Sequence, residues 1–304
     1  MTYHVPVLMQ EVCDALNPQA FGKYIDGTVG EGGHSEAILA SGSPGCRLFG
    51  IDADPEAIDS AWSRLAKFGS RVVLEQSNFV SITELATEAG FVPCDGIIMD
   101  LGLSSLQLEG EGRGFSFQRE GPLDMRFDPR QERTGAQVIN NYSGKELQRI
   151  FEQFGELRNA RRIAEGIVEM RPFYSSLGLA NFLYRLIGRH GRIHPATKVF
   201  QAVRIEVNRE LQALESGLNQ VIKLLGRRRR LAVISYHSLE DRIVKRVLAR
   251  AAAQCVCPPK LPVCMCQHIP EVKLVTKKPM TPSWLEIKGN PRSRSARLRV
   301  AEHV

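Results

Sequence analysis

"YIDGTVGEGGHS", residues 24–35, passes from a short strand-like run into a glycine cluster and then into a helical stretch. Working outward, the same rhythm returns three times. "KYIDGTVG" (23–30), "RLFGIDAD" (47–54), "RVVLEQSNF" (71–79) and "CDGIIMDLG" (94–102) each hold a compact apolar centre bounded by turn residues. Between them lie the helical patterns "HSEAILAS", "PEAIDSAWSRLAKF" and "SITELATEAG". Strands alternating with helices predict an α/β fold built on a parallel sheet. "RLAVISYH" (230–237) reads as a fifth strand of the series and "SARLRV" (295–300) as a final one.

The gap between the fourth and fifth strands is too long for a loop. Residues 103 to about 130 are glycine-rich and charged, and from Ser143 to Arg192 the pattern turns helical. The expected organisation is a sheet domain over 1–104 and 198–304, interrupted by a loop and a small helical domain over 105–197. After "HPAT", one long helix is expected, since Val199, Val203, Val207, Leu211, Leu214, Leu218, Val221 and Leu225 form a single core stripe.

With 304 residues, 43% of them hydrophobic, the chain can bury one large core, or a main domain with a smaller one attached. Its amino terminus lacks a basic, apolar and small-residue leader, and no apolar run nears the roughly 18 residues of a membrane span. A cytoplasmic protein with no membrane partner is expected, its seven cysteines kept as thiols. The net charge of +7 is compatible with a polyanionic partner. Positive charge gathers late, in "GRRRR" (226–230), which also reads as a solvated turn before a strand, and in "NPRSRSARLR" (290–299).

Glycine-rich turns serve dinucleotides, nucleoside triphosphates and S-adenosylmethionine. Gly30, Gly32 and Gly33 let backbone approach a ligand closely. Asp52 ends the second strand about 20 residues later, where a carboxylate can accept from both ribose hydroxyls. No GxxxxGK[ST] is present, which disfavours a triphosphate. Asp26, Glu31 and Asp100 line the same edge with negative charge, which repels a pyrophosphate and suits a sulfonium. A cationic methyl donor accounts for this rim; a dinucleotide does not.

In order along the chain, "HVPVL" (4–8), "YIDGTVGEGGHS", "IDADPEAI", "DLGLSSLQL" (100–108), "RGFSFQREGPLDMRFD" (113–128), "HPATKVFQAVRIEVNREL", "SYHSLEDRIVK" and "NPRSRSARLRVAE" resemble the ribosomal RNA small subunit methyltransferase H family, also called MraW. The resemblance implies a Rossmann-like S-adenosylmethionine-dependent methyltransferase sheet with an inserted helical domain. It implies methylation of the exocyclic N4 of a cytidine in small-subunit ribosomal RNA near the decoding site. Carried over residue by residue, it implies cofactor contacts at Gly32, Gly33, His34, Asp52, Phe79, Asp100 and Gln107. Backbone amides near His34 would hold the methionine carboxylate and Asp100 the amino group, while Phe79 offers adenine a face or is a plain core aromatic.

A cytosine amine is a poor nucleophile, so transfer needs an in-line methyl, an unstacked base and an acceptor for an amine hydrogen. The Asp/Asn/Ser-Pro-Pro-aromatic box of DNA amino-methyltransferases is replaced by "DLGLSS", which leaves the acceptor open between Asp100 and His237. His237 alternatively packs while Ser238 and Asp241 cap the next helix. Arg113, Phe115, Arg126, Lys198 and Arg204 are candidate RNA contacts; the phenylalanines otherwise pin a loop to the core, and the cations otherwise face solvent. Arg297 and Arg299 give the last strand a basic face, for RNA or solvent. "CVCPPKLPVCMC" sets Cys255, Cys257, Cys264 and Cys266 as two CxC pairs, for structural zinc or as free thiols. Expected partners are small-subunit ribosomal RNA or the assembled subunit, with a homodimer as a further expectation. Two other functions fit the pattern: methylation of DNA or another RNA, and non-catalytic ribosome assembly.

Overall fold

The computed structural model describes residues 5–104, 106–107, 112–117, 119–188, 194–258 and 264–304. His4, Ser105, Leu108, Gln118 and Arg192, which fall in the stretches read above, lie outside the described residues, as do residues 259–263 of the cysteine loop. The chain divides into two units, Met1–Gly102 with Leu211–Val304, and Leu103–Glu210.

The first unit carries β1 (Lys23–Asp26), β2 (Arg47–Asp52), β3 (Val72–Gln76), β4 (Cys94–Asp100), β5 (Leu225–Ser235), β6 (Val272–Leu274) and β7 (Arg297–His303). They form one sheet in the order β3-β2-β1-β4-β5-β7-β6. The pairings from β3 through β5 are parallel, and β7 runs antiparallel to both β5 and β6. Period-two alternation sorts the strand side chains. Ile25, Phe49, Ile97, Met99, Leu231 and Val233 enter one buried cluster, and Tyr24, Leu48, Ile98, Ala232 and Ile234 the opposite one. A sheet buried on both faces needs helices on both. Here α1 (Met9–Leu16), α2 (Gly33–Ser41) and α3 (Pro55–Leu65) supply Val12, Ile38, Leu39, Ala61 and Leu65 to one side. On the other, α4 (Ile82–Glu88) supplies Ile82 and Ala86.

Strand order reverses between β1 and β4, and parallel pairing brings the carboxyl ends of β1, β2, β4 and β5 to one edge. Those ends are Asp26, Asp52, Asp100 and Ser235. A crevice at such a switch point is where open α/β sheets take their ligands.

In the second unit, α5 (Gly135–Asn141), α6 (Gly144–Gln153), α7 (Ala160–Met170), α8 (Ser176–Ile187) and α9 (Ala196–Asn208) pack around Val138, Ile150, Phe151, Ile163, Leu179 and Val203. Reciprocal caps start two of them, Thr134 with Gln137 and Ser143 with Glu146.

The expected single helix after "HPAT" is two. Arg209 adopts φ 51°, closing α9, and α10 (Glu210–Leu224) begins at the next residue. Val199, Val203 and Val207 join the helical unit's core, whereas Leu214, Leu218 and Val221 join the sheet's. The apolar period runs straight through the break, so spacing alone could not reveal it. The unit boundary therefore falls at Glu210, not near residue 197. Leu225, expected on the helix, opens β5, and "GRRRR" is part of that strand rather than a turn before it. Register jumps from Cys94↔Leu225 to Gly96↔Arg230, so the basic run bulges out of the ladder. Arg229 pairs with Asp95 at 2.9 Å and Arg230 with Glu302 at 3.0 Å, so half the run is neutralised internally.

Candidate active site

The turn after β1 is organised by a buried carboxylate. Asp26 Oδ1 accepts from Thr28 N at 3.1 Å and Oδ2 from the Ser35 hydroxyl at 2.7 Å, tying the strand end to α2. Burial pushes its carboxyl up to about 6 despite these bonds and nearby His34. Gly30 and Gly32 hold φ of +50° and +77°, where only glycine sits without strain.

The three glycines do different work. A Cβ on Gly32 would meet Leu65 at 3.3 Å, and one on Gly33 would lie 2.5 Å from the Pro6 ring. These two make room for protein, which corrects the reading that every glycine here clears a ligand's path. A Cβ on Gly30 would meet nothing nearer than the Thr28 carbonyl at 3.9 Å. The Gly30 N–H donates to Asp52 Oδ2 at 2.9 Å, and Asp54 N donates to Oδ1 at 3.0 Å. Asp52 is thus aimed from both oxygens and keeps a second lone pair on each. Burial pushes it up to about 6 against those two bonds.

Asp100 carries the next strand end. Its N–H donates to Thr28 Oγ1 at 2.6 Å, locking β4 to the turn. The Tyr236 hydroxyl donates to its carboxylate, and burial together with that anion drives the phenol far above its ordinary range. Tyr236 therefore stays protonated as a donor. Asp100 Oδ1 is buried with no hydrogen-bond partner, and so are both ring nitrogens of His34, whose Nε2 lies 3.5 Å from Asp100 Oδ2. A buried carboxylate oxygen left this way costs about 1–3 kcal/mol or more, so its place in a ligand site is to accept from an N–H or a cation. Tyr236 and Thr28 escape sequence reasoning, and only adjacency to His237 and to the glycine turn marked them.

His237 sits elsewhere in the scheme. It is the N-cap of α11 (Ser238–Ala251): its Nδ1 accepts from Glu240 N at 3.3 Å, while the Glu240 carboxylate accepts from His237 N and Tyr236 N. Its Nε2 stands 3.0 Å from Glu240 Oε1, at an angle short of a hydrogen bond. With its Nδ1 lone pair spent on the cap, His237 serves here as a helix-capping residue. Nor do Ser238 and Asp241 form the cap, because Asp241 is taken by Arg299 at 2.7 Å and Arg297 at 2.9 Å. Burial alone would raise Asp241, but the two guanidinium groups outweigh it and hold the carboxyl low. That pairing buries Arg299, whereas Arg297 remains half exposed on the same face of β7.

Phe79 is half-buried, and its ring lies against Gly217, where a Cβ would come within 2.7 Å of Cδ2. The packing role is present on one side. Gln107 lies in the second unit, buried, exchanging hydrogen bonds of 3.1 Å with Ser104.

A carboxylate edge at the switch point of a 3-2-1-4-5-7-6 sheet now meets independent comparison. The model of the MraW methylase family matches residues 1–304. The chain belongs to the MraW methylase family. It is 50% identical over 302 residues to ribosomal RNA small subunit methyltransferase H of Dehalococcoides mccartyi, spanning 99% of this chain and 86% of that protein. The protein of the same name from Thermomicrobium roseum is 49% identical over 307 residues, covering 100% and 94%. That of Carboxydothermus hydrogenoformans is 48% identical over 306 residues, covering 99% and 98%.

In this MraW-family chain the expected RNA contacts all fall in the helical unit, most of them engaged by protein partners. Phe115 is buried in the helical unit's core and stacks on Phe127 at 5.4 Å, so it pins the loop instead of facing a base. Phe117 stacks on His194 at 4.8 Å. Arg113 donates to the Phe127 carbonyl at 3.1 Å. Arg126 chelates Asp124 at 2.8 and 2.7 Å and also donates to the Pro129 and Gln131 carbonyls. Arg204 chelates Glu210 at 2.8 and 2.9 Å. Both arginines are engaged by carboxylates inside the unit, where they have a structural part. Lys198, 3.8 Å from Glu156 and about a third exposed, is the one left closest to that role among the five. Arg126→Ala is expected to destabilise the helical unit by about 2 kcal/mol in urea unfolding. RNA affinity should stay within about threefold; weaker RNA binding at unchanged stability would restore the original reading.

Proposed function

We propose that this chain methylates the exocyclic N4 of a cytidine in small-subunit ribosomal RNA near the decoding site, with S-adenosylmethionine as donor. The observation that carries it is the buried, unpartnered Asp100 oxygen at the switch point, beside Asp26 and Asp52. When bound, S-adenosylmethionine supplies an electrophilic methyl group on a cationic sulfur. The residues fit such a group: anionic side chains favour its charge.

Asp52, held by Gly30 and Asp54, accepts from the ribose hydroxyls. The amides at the start of α2, around Gly33 and His34, receive the methionine carboxylate. The half-buried Phe79 ring meets adenine, and Gln107 belongs to the same proposed set. Attack by N4 leaves a surplus proton on the amine, and Asp100 takes it, steadied by Tyr236. His237 takes no part beyond capping α11. The base must reach this edge unstacked, since a paired amine is inaccessible.

Ribosomal RNA, free or within the assembled subunit, is the proposed partner. Among the described residues no helix is long and apolar enough to cross a membrane; a cytoplasmic site of action accords with the substrate. A homodimer is a further expectation, checked by native mass. A zinc ion on the cysteine loop is the second proposed cofactor, with an architectural part only.

The test supplies labelled S-adenosylmethionine with free ribosomal RNA, assembled small subunits and duplex DNA, followed by mass spectrometry of the nucleosides. N4-methylcytidine in ribosomal RNA is expected. Label confined to DNA would make the chain a DNA methyltransferase, and RNA binding without label would make it an assembly factor.

A further inference from the structure

The segment between α11 and β6 has an unusual problem. None of the described residues from 252 to 271 is buried, and Met265 and Ile269 are 77% and 79% exposed. Among the described residues, no apolar core orders this stretch. Yet its two ends are tied back to the sheet unit, with Glu271 N donating to the Ala251 carbonyl at 2.8 Å and His268 Nε2 lying 3.1 Å from the Arg250 carbonyl.

What gathers the segment is sulfur. One Sγ from each of Cys255, Cys257, Cys264 and Cys266 lies within 4.8 Å of every other. Cys264 and Cys266 are 3.6 Å apart and Cys255 and Cys266 3.8 Å apart, and all four are free thiols. A disulfide needs about 2.05 Å, so these are not bonded pairs. Tetrahedral geometry with bonds of about 2.3 Å places sulfurs about 3.8 Å from one another, which is the spacing of a zinc tetrathiolate.

The backbone supports the same arrangement. Val256 N donates to Cys266 Sγ and Met265 N to Cys257 Sγ, each at 3.4 Å, so each CxC pair is bonded by the other arm of the hairpin. Cys257 N donates to Cys255 Sγ, also at 3.4 Å. N–H donors aimed at sulfur offset the net −2 charge that four thiolates leave on a divalent ion, as the outer shell of a metal site does. Thiolate donors alone select a soft or borderline metal over magnesium or calcium.

We propose that Cys255, Cys257, Cys264 and Cys266 bind one zinc ion as a closed, structural tetrathiolate that orders the hairpin joining α11 to the edge strand β6. Four protein ligands leave no position for water or substrate, so the ion takes no part in methyl transfer. It supplies the cross-link that a coreless segment lacks.

The experiment uses the full chain without a histidine tag, reduced, reconstituted with zinc and passed through gel filtration before elemental analysis. One equivalent of zinc is expected in the parent chain and in Cys13→Ser, a control outside the loop. Less than a tenth of an equivalent is expected in Cys264→Ser/Cys266→Ser. Cobalt in place of zinc should give the visible spectrum of tetrahedral cobalt thiolate in the parent chain and in Cys13→Ser but not in the double variant, a positive signature that misfolding cannot produce. Less than half an equivalent in the reconstituted parent chain, or equal zinc in the double variant, overturns the proposal. So does a loss of two hydrogen atoms per cysteine pair in the denatured, metal-free mass of protein handled without reductant, taken together with absent zinc, which would mean that the thiols are oxidised to disulfides.

Discussion

Asp52→Ala is expected to weaken S-adenosylmethionine binding about 100-fold, close to 2.7 kcal/mol at 25 °C. Two losses add up. Each hydrogen bond that a carboxylate accepts from a ribose hydroxyl is worth about 1.5–3 kcal/mol, so the 100-fold figure sits at the low end of the expected loss. The Gly30 and Asp54 amides also lose their acceptor, so the glycine turn is no longer tied to β2. Acid should reproduce part of this effect. Burial pushes both Asp52 and Asp26 up to about 6, from 3.8 when free in solvent. For the unliganded chain the sign favours acid: a raised carboxyl contributes full stability below about pH 4 and loses it as pH climbs through about 6. Binding a cation runs the other way, because it needs the ionised form. Affinity at pH 5 should thus be at least about tenfold weaker than at pH 7, one decade per carboxyl. Calorimetry at both pH values, on the parent chain and the variant, measures this directly. An Asp52→Ala chain that binds as tightly as its parent removes Asp52 from the site, and a flat pH profile removes the carboxylate edge as the reason for affinity.

The parts that were legible in the chain are those that local chemistry decides. Apolar runs ending in Asp26, Asp52 and Asp100 mark strand ends because an aspartate cannot continue a buried strand, and the alternation with helices fixes a parallel sheet. The cysteine spacing announced itself too. What stayed hidden depends on distant partners. Two capping boxes overlap in "SYHSLED", and the choice of His237 with Glu240 over Ser238 with Asp241 is made by Arg299, 58 residues away. Arg126 and Arg204 carry the same composition whether they meet phosphate or a carboxylate, and Asp124 and Glu210 decide. The break at Arg209 interrupts no apolar period, so only the assignment of each half of the stripe to a different core exposes it. Gly33 shows the converse. A glycine at a ligand-type turn satisfies Pro6, from a segment sequence reasoning had no cause to bring near.

Asp100→Asn should lower kcat about 1000-fold while leaving the affinity for S-adenosylmethionine within about threefold, the loss expected when a positioned proton acceptor is removed. The substitution keeps shape and keeps an acceptor for the Tyr236 hydroxyl, but an amide cannot take a proton. His237 offers no rescue, because its lone pair already serves the Glu240 amide. Tyr236→Phe should be milder, about tenfold in kcat, since it removes the donor that steadies Asp100 and not the acceptor itself. Single-turnover methylation at saturating donor, set beside calorimetric affinities for the same variants, separates two assignments that share one carboxylate. If Asp100 instead grips the methionine amino group, Asp100→Asn will show the reverse pattern: affinity down about 100-fold and methyl transfer at saturation nearly intact. That outcome would leave the fold and the carboxylate edge standing but take the proton acceptor away from Asp100, and His34, whose ring nitrogens are unpartnered 3.5 Å from Asp100, would be the next group to test.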